Sequence, residues 1–151
     1  MQIVKVTEEA LAGRCDALLM ALVQEEGAFD GNLNTDIQIC DWYPSTLEDE
    51  QRVTFAAMEN EEAVGFAHGF VLAEGGTSVR DTVVVLDALY VKAPYRKQGA
   101  GTALAEAFMQ WGKACGAKFA ELKVYTDNHT AIAFYQKHAF TPVKQYMRKA
   151  L

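Results

Sequence analysis

At 151 residues, half of them hydrophobic and 23% charged with a net charge of −6, the chain has the length for one globular domain, which would bury roughly 70% of its unfolded surface. An isoelectric point near 5.0 disfavours nucleic acid, which rewards a basic face; no apolar run approaches the ~20 residues that cross a bilayer, and the first residues are neither a signal h-region nor an Arg-rich transit peptide. Cys15, Cys40 and Cys115 are odd in number, far apart and free of any C-x-x-C, which argues against both a disulfide framework and a zinc site.

These bounds give a single domain over residues 1–151, a cytoplasmic location, and neither nucleic-acid nor membrane partners as expectations. Along the chain, Ile3 to Val6 reads as a first strand. Thr7 is positioned to N-cap a helix, with Glu8 and Glu9 in its positive first turn. Leu11, Cys15, Leu18, Leu19, Leu22 and Val23 recur at three and four residues, and Gly27 ends that helix. Residues 28–50 are irregular and turn-rich, with a short helix expected near Thr35–Asp41, and a long irregular stretch in a compact domain is often a binding loop.

Arg52 to Met58 and Ala63 to Leu72 read as strands joined by a hairpin turn at Glu59-Asn60-Glu61-Glu62. Strict alternation in the second puts Val64, Phe66, His68, Phe70 and Leu72 on one face and Gly65, Ala67, Gly69 and Val71 on the other, so it should be central. Glu74-Gly75-Gly76 marks a turn before a strand at Thr82 to Val91. Leu104, Phe108, Trp111 and Cys115 then form a helical stripe that Gly116 closes, which makes Cys15 and Cys115 buried thiols. Phe119 to Tyr125 is a strand, Asp127-Asn128 a cap, Ala131, Ile132, Phe134 and Tyr135 a short helix, and Phe140 to Arg148 a last strand.

Two constellations stand out. Between Lys92 and Thr102 the chain carries Lys92, Arg96 and Lys97 and no acid, a +3 segment in a protein of net −6. Within it Arg96-Lys97-Gln98-Gly99-Ala100-Gly101 precedes a helix, so its amides can converge on an anion with the positive helix end behind them. By itself the pattern serves equally an ordinary strand-to-helix turn, and it is neither a Rossmann fingerprint nor a P-loop. The second constellation is Val124 to Phe140, where Asn128 and Tyr135, seven residues apart, share a helix face. Taken alone they read as an N-cap and a core aromatic just as well.

In this order and spacing the two segments resemble the Gcn5-related N-acetyltransferase family: residues 85–104 its acyl-CoA motif, residues 124–140 its V-x-x-x-N-x-x-A-x-x-F-Y-x-K-x-G-F motif. The resemblance implies an α+β fold, a mixed and mostly antiparallel sheet of about six to seven strands flanked by about four helices. It implies acetyl-CoA as co-substrate with no metal, and direct transfer to a primary amine. The backbone of Leu89, Tyr90 and Val91 would run beside the pantetheine arm, one amide polarising the thioester carbonyl. The amides of Lys97, Gln98, Gly99, Ala100, Gly101 and Thr102 would hold the pyrophosphate, with Arg96 contributing charge and shaping the turn. Asn128 would hydrogen-bond the cofactor arm, and Tyr135 would protonate the departing thiolate.

One departure is Ala139 where the family has Gly, which implies either about 1 kcal/mol of strain at a left-handed cap or a different cap. Asp87, alone in the apolar run Val83 to Leu89, is similar in position to the acid of the family's polyamine-type members. It reads as base or amine anchor, or as a structural hydrogen-bonding residue. His68 reads as a satisfied core histidine. Acids at Glu25, Glu26, Asp30, Asp36, Asp41, Glu48, Asp49 and Glu50, with Phe29, Trp42 and Tyr43 among them, favour a small cationic amine as substrate. The rivals are a protein or peptide acetyltransferase and a non-catalytic acyl-CoA-sensing module. A homodimer is expected from the family's habit and the apolar last strand.

Overall fold

The computed structural model describes residues 1–72 and 81–151, so the turn expected at Glu74-Gly75-Gly76 lies outside the described residues. Five strands, β1 (Gln2–Lys5), β2 (Arg52–Glu59), β3 (Glu62–Val71), β4 (Val83–Val91) and β5 (Phe119–Leu122), and three helices, α1 (Glu9–Glu26), α2 (Ala100–Ala114) and α3 (His129–Lys137), follow in the order β1-α1-β2-β3-β4-α2-β5-α3. The five strands form one sheet in chain order. The first four pair antiparallel, whereas β4 and β5 pair in parallel, as a helical crossover through α2 allows.

A core cluster lies on each face of the sheet. Cys15 and Leu18 of α1 pack with Tyr43, Ala56, Phe66, Ala88 and Tyr90 on one side; Leu104 and Phe108 of α2 pack with Val64, Ala67, Val84, Leu86 and Val91 on the other. The second contact is tight. A Cβ on Gly69 would stand 2.3 Å from the Phe108 ring, so glycine lets α2 sit down on β3. As expected, β3 is central and buried from Ala63 to Gly69.

Its two faces, however, depart from strict alternation. The register between β2 and β3 shifts at Ala57/Met58, and this bulge sends Val64 to the α2 side while Phe66 faces α1. Asn60 and Glu61 both take positive φ, 46° and 67°, as a two-residue hairpin turn of the primed kind requires.

Several boundaries differ from the sequence expectations for local reasons. Glu8, not Thr7, is the N-cap of α1, and no side chain caps it. Gly27 ends α1 at an ordinary right-handed φ of −55°; it is small because a Cβ there would stand 2.5 Å from Cγ2 of Thr35. The helical turn in the 28–50 loop is at Pro44–Thr46, where proline presets φ, and not near Thr35–Asp41. Strand β5 stops at Leu122 rather than Tyr125. Cys15 is buried, its thiol pushed up to about 12 by burial and by Asp16, but Cys115 is only half-buried and Cys40 is exposed.

The largest difference is at the end of the chain. Phe140 to Arg148 forms no strand, and every residue from Thr141 to Leu151 is exposed. Among the described residues the segment makes no backbone hydrogen bond to any of the five strands, so no ladder defines it as one. The described sheet therefore has five strands where six to seven were expected, and three helices of two turns or more where four were. Among the described residues no helix is long and apolar enough to cross a membrane.

The 28–50 loop is tied to α1 by a buried carboxylate. Asp16, 3% exposed, accepts hydrogen bonds from the amides of Tyr43 (2.9 Å) and Trp42 (3.2 Å). Bonds to a charged group contribute about 1.5–3 kcal/mol each. The tether drives the Tyr43 ring into the core, 4.5 Å from His68 and 5.4 Å from Phe66 between centroids. His68 Nδ1 shares a 2.8 Å hydrogen bond with Thr54 Oγ1, while Nε2 is buried without a partner. The core histidine is thus only half satisfied.

Burial and, secondarily, the charge of Arg52 hold the His68 imidazole down at about 4 from 6.5. Below pH 6.5 the unfolded chain takes up this proton and the folded one does not, so stability is lost as pH falls from 6.5 towards 4. Between pH 7 and pH 5 the loss is about 2 kcal/mol from this residue. Urea denaturation at the two pH values should show His68→Gln less pH-sensitive by that amount; equal sensitivity in both proteins would remove His68 as the cause.

Candidate active site

The site starts from one extra residue. Opposite β3, His68 pairs with Ala88 and Gly69 with Leu86, which leaves Asp87 as the unpaired residue of a β-bulge. Side-chain parity confirms it: Val84 and Leu86 lie on the α2 side, yet Ala88 and Tyr90 lie on the α1 side. The bulge also ends the pairing on the other edge, because the parallel register with β5 runs from Val83/Phe119 only as far as Leu86/Leu122.

Beyond that point β4 has β3 on one side and an opening on the other. The Lys92 amide donates to Val64 O, so by alternation Tyr90 also points its backbone at β3. Leu89 and Val91 then turn their amides and carbonyls to the open side. Asp87 itself is exposed and, among the described residues, makes no side-chain hydrogen bond or ion pair. The charge is therefore not buried in the strand, and the structural hydrogen-bonding reading has no partner to support it. Asp87 instead acts on Tyr43, whose phenol is pushed far up by burial first and by the charge of Asp87 next.

The cradle loop follows a short turn at Ala93–Tyr95. Lys97 and Gly99 both adopt left-handed backbone, φ 61° and 90°; at Gly99 this is free, while Lys97 tolerates it at a cost. Ala103 N–H is bonded to Gly99 O, so the amides of Ala100, Gly101 and Thr102 are the unpaired first turn of α2, and no side chain caps them. That is a fit for a phosphate.

The cations around it are differently placed than the +3 count implies. Arg96 Nε donates to Val91 O (2.7 Å), and its Nη2 donates to both oxygens of Glu25 on α1 (2.8 and 2.6 Å). The guanidinium lies 5.4 Å from the Tyr90 ring centroid, and Tyr90 OH donates to the same Glu25 at 2.8 Å. Lys92 is paired with Glu62. Arg96 is therefore tied to Val91 and Glu25 rather than offering a free charge, and Lys97 is exposed without an ion-pair partner among the described residues.

On the far wall, Asn128 caps α3 by accepting from the Ala131 amide at 3.1 Å, so its side-chain oxygen is spent on the helix and its NH2 is what remains to donate. Helix α3 leans on the start of α2: the Phe134 ring is 3.5 Å from where a Cβ of Gly101 would stand, and Thr102 Oγ1 is 3.3 Å from His138 Nε2. Tyr135 is half-buried against the α2-side cluster. Burial, and then the charge of Glu26, push its phenol up to about 12.

Glu26 is a residue that sequence reasoning placed only in a general acidic group. It is half-buried at the end of α1, its carboxyl raised by burial, and it acts on Tyr125 and Tyr135 alike. Phe29 stacks on Tyr125 at 6.2 Å, closing this end of α1 onto the segment after β5. A signal was available, since Glu26 falls at the next position of the Leu19, Leu22, Val23 stripe, where an apolar residue is expected. Of the other acids, Glu25, Asp30 and Asp49 are paired with Arg96, Arg148 and Arg52. Among the described residues no three His, Cys, Asp or Glu side chains gather to hold a metal.

Residues 17–140 match the model of the Acetyltransferase (GNAT) family, and the chain belongs to that family. It is 30% identical over 93 residues to YobR of Bacillus subtilis (strain 168), an uncharacterized N-acetyltransferase, covering 62% of this chain and 35% of that relative's length. Among solved structures it resembles a mutant of the BH1408 protein from Bacillus halodurans, with TM-score 0.84, 21% identity, and coverage of 100% of this chain and 99% of that one. It also resembles the aminoglycoside N-acetyltransferase AAC(6')-Iy in complex with CoA, with TM-score 0.74, 19% identity, and coverage of 99% and 100%. At such identities these structures establish the fold.

The placement of Tyr135 depends on how α3 ends. The Ala139 amide donates to Gln136 O and the Phe140 amide to Tyr135 O, both at 3.0 Å, and the Phe140 ring packs on Tyr135 at 5.7 Å. This is a Schellman motif, and Ala139 holds its left-handed position at φ 64°, so the departure from Gly is borne as strain. Helix α2 ends the same way with Gly116 at φ 78°. Ala139→Gly should stabilise by up to about 1 kcal/mol, a Tm rise of about 2–4 °C, and Gly116→Ala should do the reverse. Calorimetry in which Ala139→Gly melts lower than the parent would contradict the strain.

Proposed function

We propose that this protein transfers an acetyl group from acetyl-CoA to a primary amine of a small cationic molecule, within a ternary complex. The observation that carries the reading is the opening beside β4, with the outward amides of Leu89 and Val91 along it, the uncapped first turn of α2 at one end and Tyr135 on its far wall. Membership of the family supports it, as does likeness to an aminoglycoside acetyltransferase bound to CoA and to one bound to a bisubstrate analogue, CoA-S-monomethyl-acetylneamine.

In this reading the co-substrate supplies an activated thioester carbonyl. The amides of Lys97, Gln98, Gly99, Ala100, Gly101 and Thr102 receive its pyrophosphate, with Lys97 as the available cation. Arg96 fixes the turn through Val91 and Glu25. The outward amides of Leu89 and Val91 face the acyl arm, one of them donating to the carbonyl oxygen as negative charge develops there, and Asn128 donates its NH2 to the arm.

Asp87, exposed at the bulge, takes the proton that the attacking ammonium must shed. Glu26, half-buried near Tyr135, offers the ammonium a second anionic contact. Tyr135 donates to the sulfur as the C–S bond breaks. At about 12 its phenol is a weaker acid than a thiol of ordinary pKa ~8.5, so it remains protonated across the working range and contributes a hydrogen bond before a completed transfer. Cys15 is buried with its thiol pushed up, which disfavours it as the carrier of a covalent acyl group.

Thiol release measured over a panel of polyamines, aminoglycosides, amino acids and basic peptides tests the substrate class. Turnover confined to basic peptides would favour a protein acetyltransferase, and acetyl-CoA binding without turnover a sensor. On an active amine, Tyr135→Phe should lower kcat by ~10²-fold or more with the KM for acetyl-CoA changed little, and an undiminished kcat would end its assignment as acid. Asp87→Asn should lower kcat/KM for the amine by ~10²-fold; a variant as active as the parent would leave the base to be found elsewhere.

A further inference from the structure

Among the described residues Asp16 is the one buried carboxylate, 3% exposed. No Lys, Arg or His of those residues stands within ion-pair distance of it. Its charge is held by hydrogen bonds, and burial makes such a charge costly unless its acceptors are used. Both oxygens are used: Oδ1 accepts from the Tyr43 amide and Oδ2 from the Trp42 amide.

The carbonyls of the same two residues are held from the other side. Ser45 Oγ donates to Trp42 O and Thr46 Oγ1 to Tyr43 O, each at 2.8 Å. All four backbone polar groups of the Trp42-Tyr43 pair are therefore bound by side chains, although the pair belongs to no helix or strand. Asp41 just before it takes left-handed backbone at φ 58°, which a residue other than glycine keeps only where its surroundings impose it.

What this tether places lies beside the bulge of β4. The Tyr43 ring packs over His68 and Phe66 of β3 and shares a cluster with Ala88, the residue after Asp87 and the β4 partner of His68. The charge of Asp87 reaches its phenol. Trp42 is 53% exposed, an indole held by its backbone and open to a cation on its face.

We propose that Asp16 is a positioning residue for the amine: it fixes Trp42 and Tyr43 beside Asp87, so that the amine binds with its nitrogen at the base and its cationic body against the indole. The inference rests on the reading of Asp87 as the base and deepens it. Asp16 does not itself meet the substrate, since both its oxygens are spent on the loop. Asparagine is the discriminating replacement, because it keeps the size and one acceptor but turns an NH2 towards the second amide, donor against donor.

Kinetics on an amine that the parent turns over test the role. Asp16→Asn should raise the KM for that amine by about 10-fold or more, with the KM for acetyl-CoA within about 2-fold of the parent's. Loss of folded protein alone would instead lower kcat and leave both KM values unchanged. Leu18→Ala, which opens a cavity under the same helix, should leave the KM for the amine as it is. Should Asp16→Asn not fold, the double variant Ser45→Ala/Thr46→Val frees the two carbonyls at an accessible turn and should raise the KM for the amine alone by about 3-fold or more. A parent that turns over no amine of the panel removes the functional reading and this role together. With an active parent, an unchanged KM for the amine in the tether variants, a parallel rise in the KM for acetyl-CoA, or the same selective rise in Leu18→Ala overturns the role and leaves the functional reading standing.

Discussion

One residue too many in β4 organises the molecule. Because Asp87 has no partner on β3, every side chain after it changes face: without it Tyr90 would point towards α2 and could not meet Glu25 on α1. The same insertion turns β4 away from β5 after Leu86 and leaves the amides of Leu89 and Val91 without a neighbouring strand. In a regular strand a lone carboxylate among valines and leucines costs several kcal/mol. At the bulge it is exposed, and that cost disappears.

Around this opening, the two faces of the sheet contribute different things. The α2 side brings the uncapped helix start and, through Phe134 and His138, the helix that carries Tyr135. From the α1 side come the acids, and these are ordered by side chains far away in sequence: Asp16 draws the backbone at Trp42 and Tyr43 inwards, Arg96 engages Glu25, and Arg148 engages Asp30. The irregular segment 28–50 is therefore held at its end by a buried carboxylate and at its start by the Phe29–Tyr125 stack.

Much of this was legible in the sequence wherever structure follows from neighbours along the chain. The β2–β3 hairpin, the stripe of α2 with its Gly116 closure, the Asn128 cap and the strain at Ala139 are all local statements, and each has its place in the structure. What escaped depends on register or distance. A bulge leaves no mark in the hydrophobic pattern except a parity that no longer closes, so the faces of Val64 and Tyr90 were not readable. The Glu25–Arg96 pair joins residues 71 apart, which no local pattern encodes. The tail from Phe140 to Arg148 has the composition of a strand, but composition does not say whether a ladder forms, and here the segment joins no sheet.

The pairing of Arg96 with Glu25 and of Lys92 with Glu62 changes the electrostatic character of the cradle. Counted along the chain, the segment offers three positive charges to an arriving polyanion; counted in space, two are already neutralised at short range and only Lys97 still carries its own counter-ion atmosphere. Attraction for a phosphate then comes mainly from fixed amide dipoles at the helix start, which have no mobile counter-ions to release. Under the proposed function, such a site would bind a phosphate with a shallow dependence on ionic strength, closer to that of one charge than of three.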